Sequence, residues 1–135
     1  LKERSLDKQF IILVSNLDML SEFIDIDNFK NIFDQYWPGP NTLILPVKPG
    51  TWYPYPTIAV RFSDYPLLNQ LISAVNYPVI STSVNKSFEP PLNDYQEIVQ
   101  QWQGDVDFVD STFELQYKQP SSIYDCTAEP IIKVR

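Results

Sequence analysis

The sequence predicts an α/β (α+β) domain built around a twisted mixed sheet with flanking helices. Three observations carry that reading. Short β-branched runs alternate with amphipathic helical stretches, yet not as a strict βαβ series. Several links are short enough for antiparallel pairs. Finally, 44% of the 135 residues are hydrophobic and 20% charged, which suits one packed core spanning residues 1–135 as a single domain.

Phe10-Ile-Ile-Leu-Val14 is an unbroken apolar run and reads as a buried strand. Asn16 and Asp18 offer caps for a short helix over Leu17 to Phe23. Ile26, Phe29, Ile32, Phe33, Tyr36 and Trp37 recur at steps of three and four, which puts an apolar stripe on a helix from about Asp27 to Tyr36. Asp25 or Asp27 can cap it and Pro38 stops it. Thr42 to Leu45 and Thr57 to Phe62 read as strands, paired as a hairpin across a Pro-rich link.

Pro66 suits the first turn of a helix whose buried face is Leu67, Leu68, Leu71, Ile72 and Val75. Val79 to Ser83 reads as a strand with a polar tip. Pro90-Pro91 forbids helix in the loop Phe88 to Asn93. Tyr95, Ile98, Val99 and Trp102 mark another helix. Val106 to Val109, Ser121 to Asp125 and Ile131 to Val134 read as three closing strands.

Composition removes several classes of function. No apolar run approaches the roughly 20 residues that cross a bilayer, so no membrane role is expected. The opening Leu-Lys-Glu-Arg-Ser lacks the apolar stretch of a signal peptide. A single cysteine, Cys126, leaves no internal disulfide and fits a reducing cytoplasm. With no histidine, the commonest general base and metal ligand are missing, and a zinc site is not expected. The net charge of −7 argues against a broad nucleic-acid footprint, though a few converging cations can still hold a triphosphate.

Four segments carry polar groups at places where chemistry can sit. Lys2-Glu3-Arg4 puts two cations on one side of an extended chain, either bracketing an anion or facing water. Tyr36-Trp-Pro-Gly-Pro-Asn-Thr42 turns a helix into a strand. Trp37 reads there as a core aromatic, while Thr42 is either a cleft hydroxyl or a plain strand former. Ser81-Thr-Ser-Val-Asn85 follows a buried strand directly. It is either a phosphate-ligating tip, with Asn85 tolerating a left-handed turn, or an ordinary Ser- and Asn-rich turn. Ser121-Ser122 enters a strand, and Arg135 ends the next one. Arg61 closes an apolar strand, as a ligand-facing cation or as the partner of Asp64. No Walker, Ser-His-Asp, Cys-His or Gly-rich phosphate motif is present.

Taken in order, these segments resemble the YrdC-like family. That family carries Lys-x-Arg, an aromatic-Trp-Pro-Gly-Pro-x-Thr turn, Val-Arg, Ser-Thr-Ser-Ala-Asn, a Ser-Thr strand and a closing Arg. Here they stand as Lys2 to Arg4, Tyr36 to Thr42, Val60-Arg61, Ser81 to Asn85, Ser121-Ser122 and Arg135. Val84 replaces the usual Ala, Ser122 the usual Thr, and Tyr65 a common His. The family's opening Pro-Thr-Asp/Glu-Thr-x-Tyr-Gly-Leu segment is not seen. The chain, which opens on Leu1, is expected to be truncated at its N-terminus.

The resemblance implies a YrdC-like sheet with a central ligand cavity and the activity of an L-threonylcarbamoyladenylate synthase. Threonine, bicarbonate and ATP would give threonylcarbamoyl-AMP and pyrophosphate, for N6-threonylcarbamoyladenosine at tRNA position 37. It further implies Mg²⁺ carried with the nucleotide, a partner enzyme for threonylcarbamoyl transfer, and in some relatives a contact with tRNA. By the same resemblance Lys2 and Arg4 would hold the triphosphate and substrate carboxylates, and Ser81, Ser83 and Asn85 the phosphates. Thr42, Arg61 and Ser121 would form walls, and Arg135 would close the nucleotide side. No catalytic nucleophile is assigned.

Two other readings follow from the same residues. One is a non-catalytic module of this fold that binds nucleotide, RNA or a protein partner. The missing opening segment favours it, and the retained Lys, Arg and Ser-x-Asn set speaks against it. The other is a carbamoyl-transfer domain of a larger maturation protein.

Overall fold

The computed structural model describes residues 10–86, 89–111 and 119–135. The chain forms two compact units, Gln9–Ser81 with Pro120–Arg135, and Leu1–Lys8 with Thr82–Gln119.

The larger unit holds one sheet of six strands, β1 (Ile11–Val14), β2 (Asn41–Pro46), β3 (Thr57–Phe62), β4 (Val79–Ser81), β5 (Ser122–Asp125) and β6 (Ile132–Lys133). Their order across it is β4-β1-β3-β2-β5-β6. β1 runs parallel to β3 and β2 parallel to β5, whereas the other neighbours are antiparallel. The β2–β3 hairpin expected across the Pro-rich link is therefore the centre of a mixed sheet.

Register decides which side chains share a face, because successive residues of a strand point to opposite sides. Ile80, Ile12, Val60, Leu43 and Tyr124 stand in one row. On that side Ile12, Val14, Ile58, Val60, Leu43 and Leu45 are buried in one core with Leu20, Phe23, Ile24, Phe33 and Trp37. Three of these strands are interior to the sheet, which is why their apolar runs are so nearly continuous.

The elements before β2 supply the cover for that core. Asn16 accepts the Met19 N–H at 3.1 Å and opens a turn of 3₁₀ helix, Leu17–Leu20. The helix expected to reach Phe23 stops there, and Phe23 and Ile24 bond back to the Leu20 carbonyl at 2.9 and 3.0 Å. A second 3₁₀ turn, Ile26–Phe29, leads into helix α1 (Lys30–Tyr36). Neither acidic cap is used as expected. Asp25 sits at the cap without a side-chain bond, and Asp27 pairs with Lys30 at 2.6 Å on the surface. Phe33 stacks on Trp37 at 4.9 Å, which fixes the end of α1 against the core.

The turn into β2 is a closed hydrogen-bond clamp. Trp37 Nε1 donates to the Asn41 carbonyl at 2.9 Å, and Asn41 Nδ2 donates to the Tyr36 carbonyl at 3.0 Å. The Gly39 N–H reaches the Phe62 carbonyl at 2.9 Å. A Cβ on Gly39 would lie 3.3 Å from the Tyr36 carbonyl oxygen, a tight contact that a larger residue could make only by displacing that carbonyl slightly. Trp37 is thus the core aromatic that its setting suggested.

Helix α2 (Pro66–Val75) begins at Pro66 as expected and ends at Asn76, whose φ of 58° lies in the left-handed region. Its buried edge is narrower than the sequence implied. Ile72 is buried and Leu68 half-buried, but Leu67, Leu71 and Val75 form a stripe facing outward. The two apolar stripes lie about 100° apart on the helix, and only one turns toward the sheet. β4 ends at Ser81, two residues earlier than expected.

In the smaller unit helix α3 (Tyr95–Trp102) is capped by Asp94, which accepts the Glu97 N–H at 3.0 Å. The strand expected over Val106 to Val109 is not formed. Its four alternating residues meet no ladder among the described residues. No helix of the described residues is long and apolar enough to cross a membrane.

Two measurements test this architecture. Leu43 is wholly buried at the sheet centre, so Leu43→Ala should cost about 2–5 kcal/mol in urea unfolding. Leu71→Ala on the outward stripe should change stability by only about 0.5 kcal/mol. Cys126, buried at the end of β5, has its thiol pushed up from 9.0 to about 11 by burial, with a smaller push from Asp125. The folded chain therefore keeps a proton that the unfolded chain loses, and this contribution to stability falls as pH rises from about 9 to about 11. Urea midpoints should drop more over that range in the wild type than in Cys126→Ala.

Candidate functional site

Opposite the core, the other side of the sheet gathers four of the expected site residues or their neighbours. β1 sets Leu13 between Val79 and Arg61. Leu43 stands opposite Val60 on the core side, so Thr42 and Arg61, each one residue along, turn to this face, and Thr42 lies beside Ile123 of β5. The next row on the same side reads Ser81, Ile11, Ala59, Ile44 and Asp125. Most of these residues are half-buried rather than enclosed, so this face is only partly covered. Arg61 brings a cation onto a surface whose other members include Leu13, Ile11, Ala59 and Ile44, with Thr42, Ser81 and Asp125 as its further polar groups. The Arg61 Nε is buried against the sheet.

Thr42 and Ser121 meet directly. Their hydroxyl oxygens are 2.8 Å apart, with Thr42 0% and Ser121 6% exposed. Each thereby satisfies a buried polar group that would otherwise cost about 1–3 kcal/mol. Arg135, on the surface past β6, aims Nε and Nη2 at the Ser121 carbonyl at 3.3 and 3.2 Å. Ser121 thus ties the start of β5 to β2 through its side chain and to the chain end through its backbone. Ser81 shares the face of Arg61 but sits one row along and two strands away.

In the smaller unit Ser83 Oγ donates to Asn85 Oδ1 at 2.7 Å, and Asn85 Nδ2 donates to the Glu89 carbonyl at 2.6 Å. The Leu92 N–H closes the loop on the Val84 carbonyl at 2.8 Å. Asn85 therefore holds the loop through its amide. Among the described non-glycine residues only Asn76 has a positive φ, so the left-handed turn expected at Asn85 is not taken. Lys2 and Arg4 lie outside the described residues.

Ser83 and Asn85 also form part of the wall of a cavity of about 450 Å³ inside this unit. Tyr95, Ile98 and Trp102 of α3 and Phe108 line it too. Trp102 is 9% exposed, and its Nε1–H has no hydrogen-bond partner among the described residues. Sequence reasoning treated Trp102 as a helix core residue and Phe108 as part of a strand. The available signal was the set of three aromatics, Tyr95, Trp102 and Phe108, that follows the Ser-x-Asn tip.

The chemistry these residues offer is positioning and charge neutralisation. There is no histidine in the sequence, and Cys126 is buried and held protonated. Among the described residues no three Asp, Glu or Cys side chains cluster as a metal site would require.

Comparison with known proteins bears on the same residues. The Sua5/YciO/YrdC family profile, described as telomere recombination, matches residues 1–135. The threonylcarbamoyl-AMP synthase of Cellvibrio japonicus is 31% identical over 140 residues, covering 98% of this chain and 74% of that protein. The protein of the same name from Pseudomonas fluorescens is 34% identical, covering 98% of this chain and 75% of its own length. That from Yersinia enterocolitica is 34% identical over 73% of this chain, and the match spans 56% of its length.

Solved structures share the fold. P. abyssi Sua5 complexed with L-threonine aligns over 98% of this chain and 41% of its own, with a TM-score of 0.84 at 23% identity. E. coli YciO aligns over 94% of this chain and 65% of its own, with a TM-score of 0.77 at 24% identity. With its profile matched from end to end and its sheet shared by these structures, the chain belongs to the Sua5/YciO/YrdC family.

Proposed function

We propose that this chain acts as an L-threonylcarbamoyladenylate synthase, with its substrates on the Arg61 face of the sheet. The observation that carries the reading is the family match over all 135 residues, with relatives named threonylcarbamoyl-AMP synthase at 31–34% identity. The partly covered sheet face, apolar except for Arg61, Asp125 and flanking hydroxyls, supports it.

The reaction asks little covalent chemistry of the protein. The threonine amine adds to the carbon of bicarbonate, a C–N bond forms, and water leaves to give a carbamate. A carbamate oxygen attacks the α-phosphorus of ATP. The bond from that phosphorus to the β-bridging oxygen breaks, and pyrophosphate departs with the electron pair. Since the nucleophile is made from the substrates, a chain without histidine and with an inert cysteine is adequate. Its work is to align three anions and to neutralise charge around phosphorus, the task of Arg61, Lys2 and Arg4. Ser81, Ser83 and Asn85 would ligate oxygens, and Arg135 the nucleotide side. Thr42 and Ser121, joined to each other, would hold the wall. Mg²⁺ neutralises phosphate charge when bound, and the nucleotide itself would carry it, since no described carboxylate cluster is built to do so.

The product would pass to a transfer enzyme that modifies tRNA, in the cytoplasm. With a net charge of −7, the chain is poorly suited to hold tRNA by itself.

Pyrophosphate release from ATP, threonine and bicarbonate measures the activity. It should depend on threonine and fall about 10²-fold in Lys2→Ala, Arg4→Ala and Arg61→Gln, with circular dichroism unchanged. Release indifferent to threonine would leave a nucleotide-binding module without this reaction.

A further inference from the structure

Helix α2 and the strand after it carry no charge. From Tyr65 to Asn85 there is no Lys, Arg, Asp or Glu, in a chain where one residue in five is charged. Yet much of this segment faces water. Leu67, Leu71 and Val75 on α2 and Tyr77 just past it are between 43% and 72% exposed. Ala74, exposed as well, lies within the helix stripe. The four large side chains present about 500 Å² of apolar surface, the size at which a patch marks an interaction site.

The sheet edge beside it is of the same kind. β4 is the last strand on its side of the sheet, and its central Ile80 is exposed. Natural edges usually carry a charge or a cover, and this one has no charge. Ser73 Oγ donates to Ser15 Oγ at 2.9 Å, just past β1, which ties α2 to the strand next to β4. The stripe is thus held in place on the larger unit.

Absence of charge selects the partner. A charged surface docked here would leave its charges without mates. A second copy brings the same neutral stripe, and two copies of net charge −7 can meet here without pressing like charges together. Residues four apart make the stripe self-complementary. We propose that the chain forms a symmetric dimer through this stripe, with the two α2 helices antiparallel. Leu71, the middle of the three, then meets the partner's Leu71 near the two-fold axis, and Leu67 meets the partner's Val75. Two such stripes bury about 1,000 Å² in total, the lower bound for a specific interface, so the dimer is weak and reversible. Dilute chain is monomeric, and Leu71→Ala leaves folding nearly unchanged in that regime. The dimer is independent of the synthase reading.

Sedimentation equilibrium of the full chain is the test. The wild type should pass from monomer to dimer at micromolar concentrations. Apolar contact between two acidic bodies has a salt signature, because screening removes their repulsion and spares the contact. The dimer should therefore be tighter in about 0.5 M than in about 0.05 M sodium chloride. Leu71→Glu sets two carboxylates at the axis and should weaken it at least about 100-fold, with circular dichroism unchanged. Leu71→Cys should cross-link in air, whereas Asn28→Cys, exposed elsewhere on the same unit, should not. Cys126 is buried and does not compete. A monomer at every concentration, assembly beyond two copies, or a dimer that loosens with salt overturns the proposal. So does a dimer that survives Leu71→Glu, or equal cross-linking of the two cysteine variants.

Discussion

The two sides of the β1–β3–β2 ladder are the constraint on which the rest depends. Backbone pairing places Ile12, Val60 and Leu43 in one row and Leu13 and Arg61 in the next, with Thr42 one residue from Leu43. Because side chains alternate, one choice of register sends the first row into the core and the second to the opposite face. A slip by one residue would bury the Arg61 guanidinium among Phe33 and Trp37, at a cost no partner there could offset. The core therefore fixes the site as firmly as it fixes the fold. The clamp at Trp37, Gly39 and Asn41 serves the same end, since it delivers β2 to that register.

Family membership and site geometry contribute different things. Membership supplies the reaction, whereas geometry says which residues are spoken for. Thr42 and Ser121 satisfy one another and hold β5 to β2, and Asn85 holds its own loop. These residues are structural first, and whatever they do for a ligand works through position. Arg61 is different, because it carries a permanent positive charge onto a face where most neighbours are apolar. The absence of histidine also stops being a puzzle when the nucleophile is assembled from substrates.

Much of the fold was legible because interior strands announce themselves. Phe10 to Val14, Thr42 to Leu45 and Thr57 to Phe62 each carry the apolar run of a strand interior to the sheet. The failures share one cause, dependence on a neighbour that local sequence does not name. Leu67, Leu71 and Val75 say that α2 has a broad apolar face, not which part of it the sheet covers. Val106 to Val109 has strand alternation but meets no ladder. For the site, Arg61 and Thr42 were visible as polar groups in apolar strands, and the sheet face they share became clear only with the register. Trp102 could not be found from periodicity, since an unpartnered N–H is a fact about surroundings. The motif order resembling the YrdC-like family was the strongest signal in the chain, and it reached the reaction before any geometry was known.

The face assignment can be tested by methyl-labelled NMR of the full chain, with ATP, threonine and bicarbonate added. Ile11, Leu13, Ile44 and Ala59 report on the Arg61 side of the sheet, and Ile12, Leu43 and Val60 on the core side. The account expects the first group to shift and the second to stay. Shifts confined to the core-side methyls, or none on either side, would contradict it.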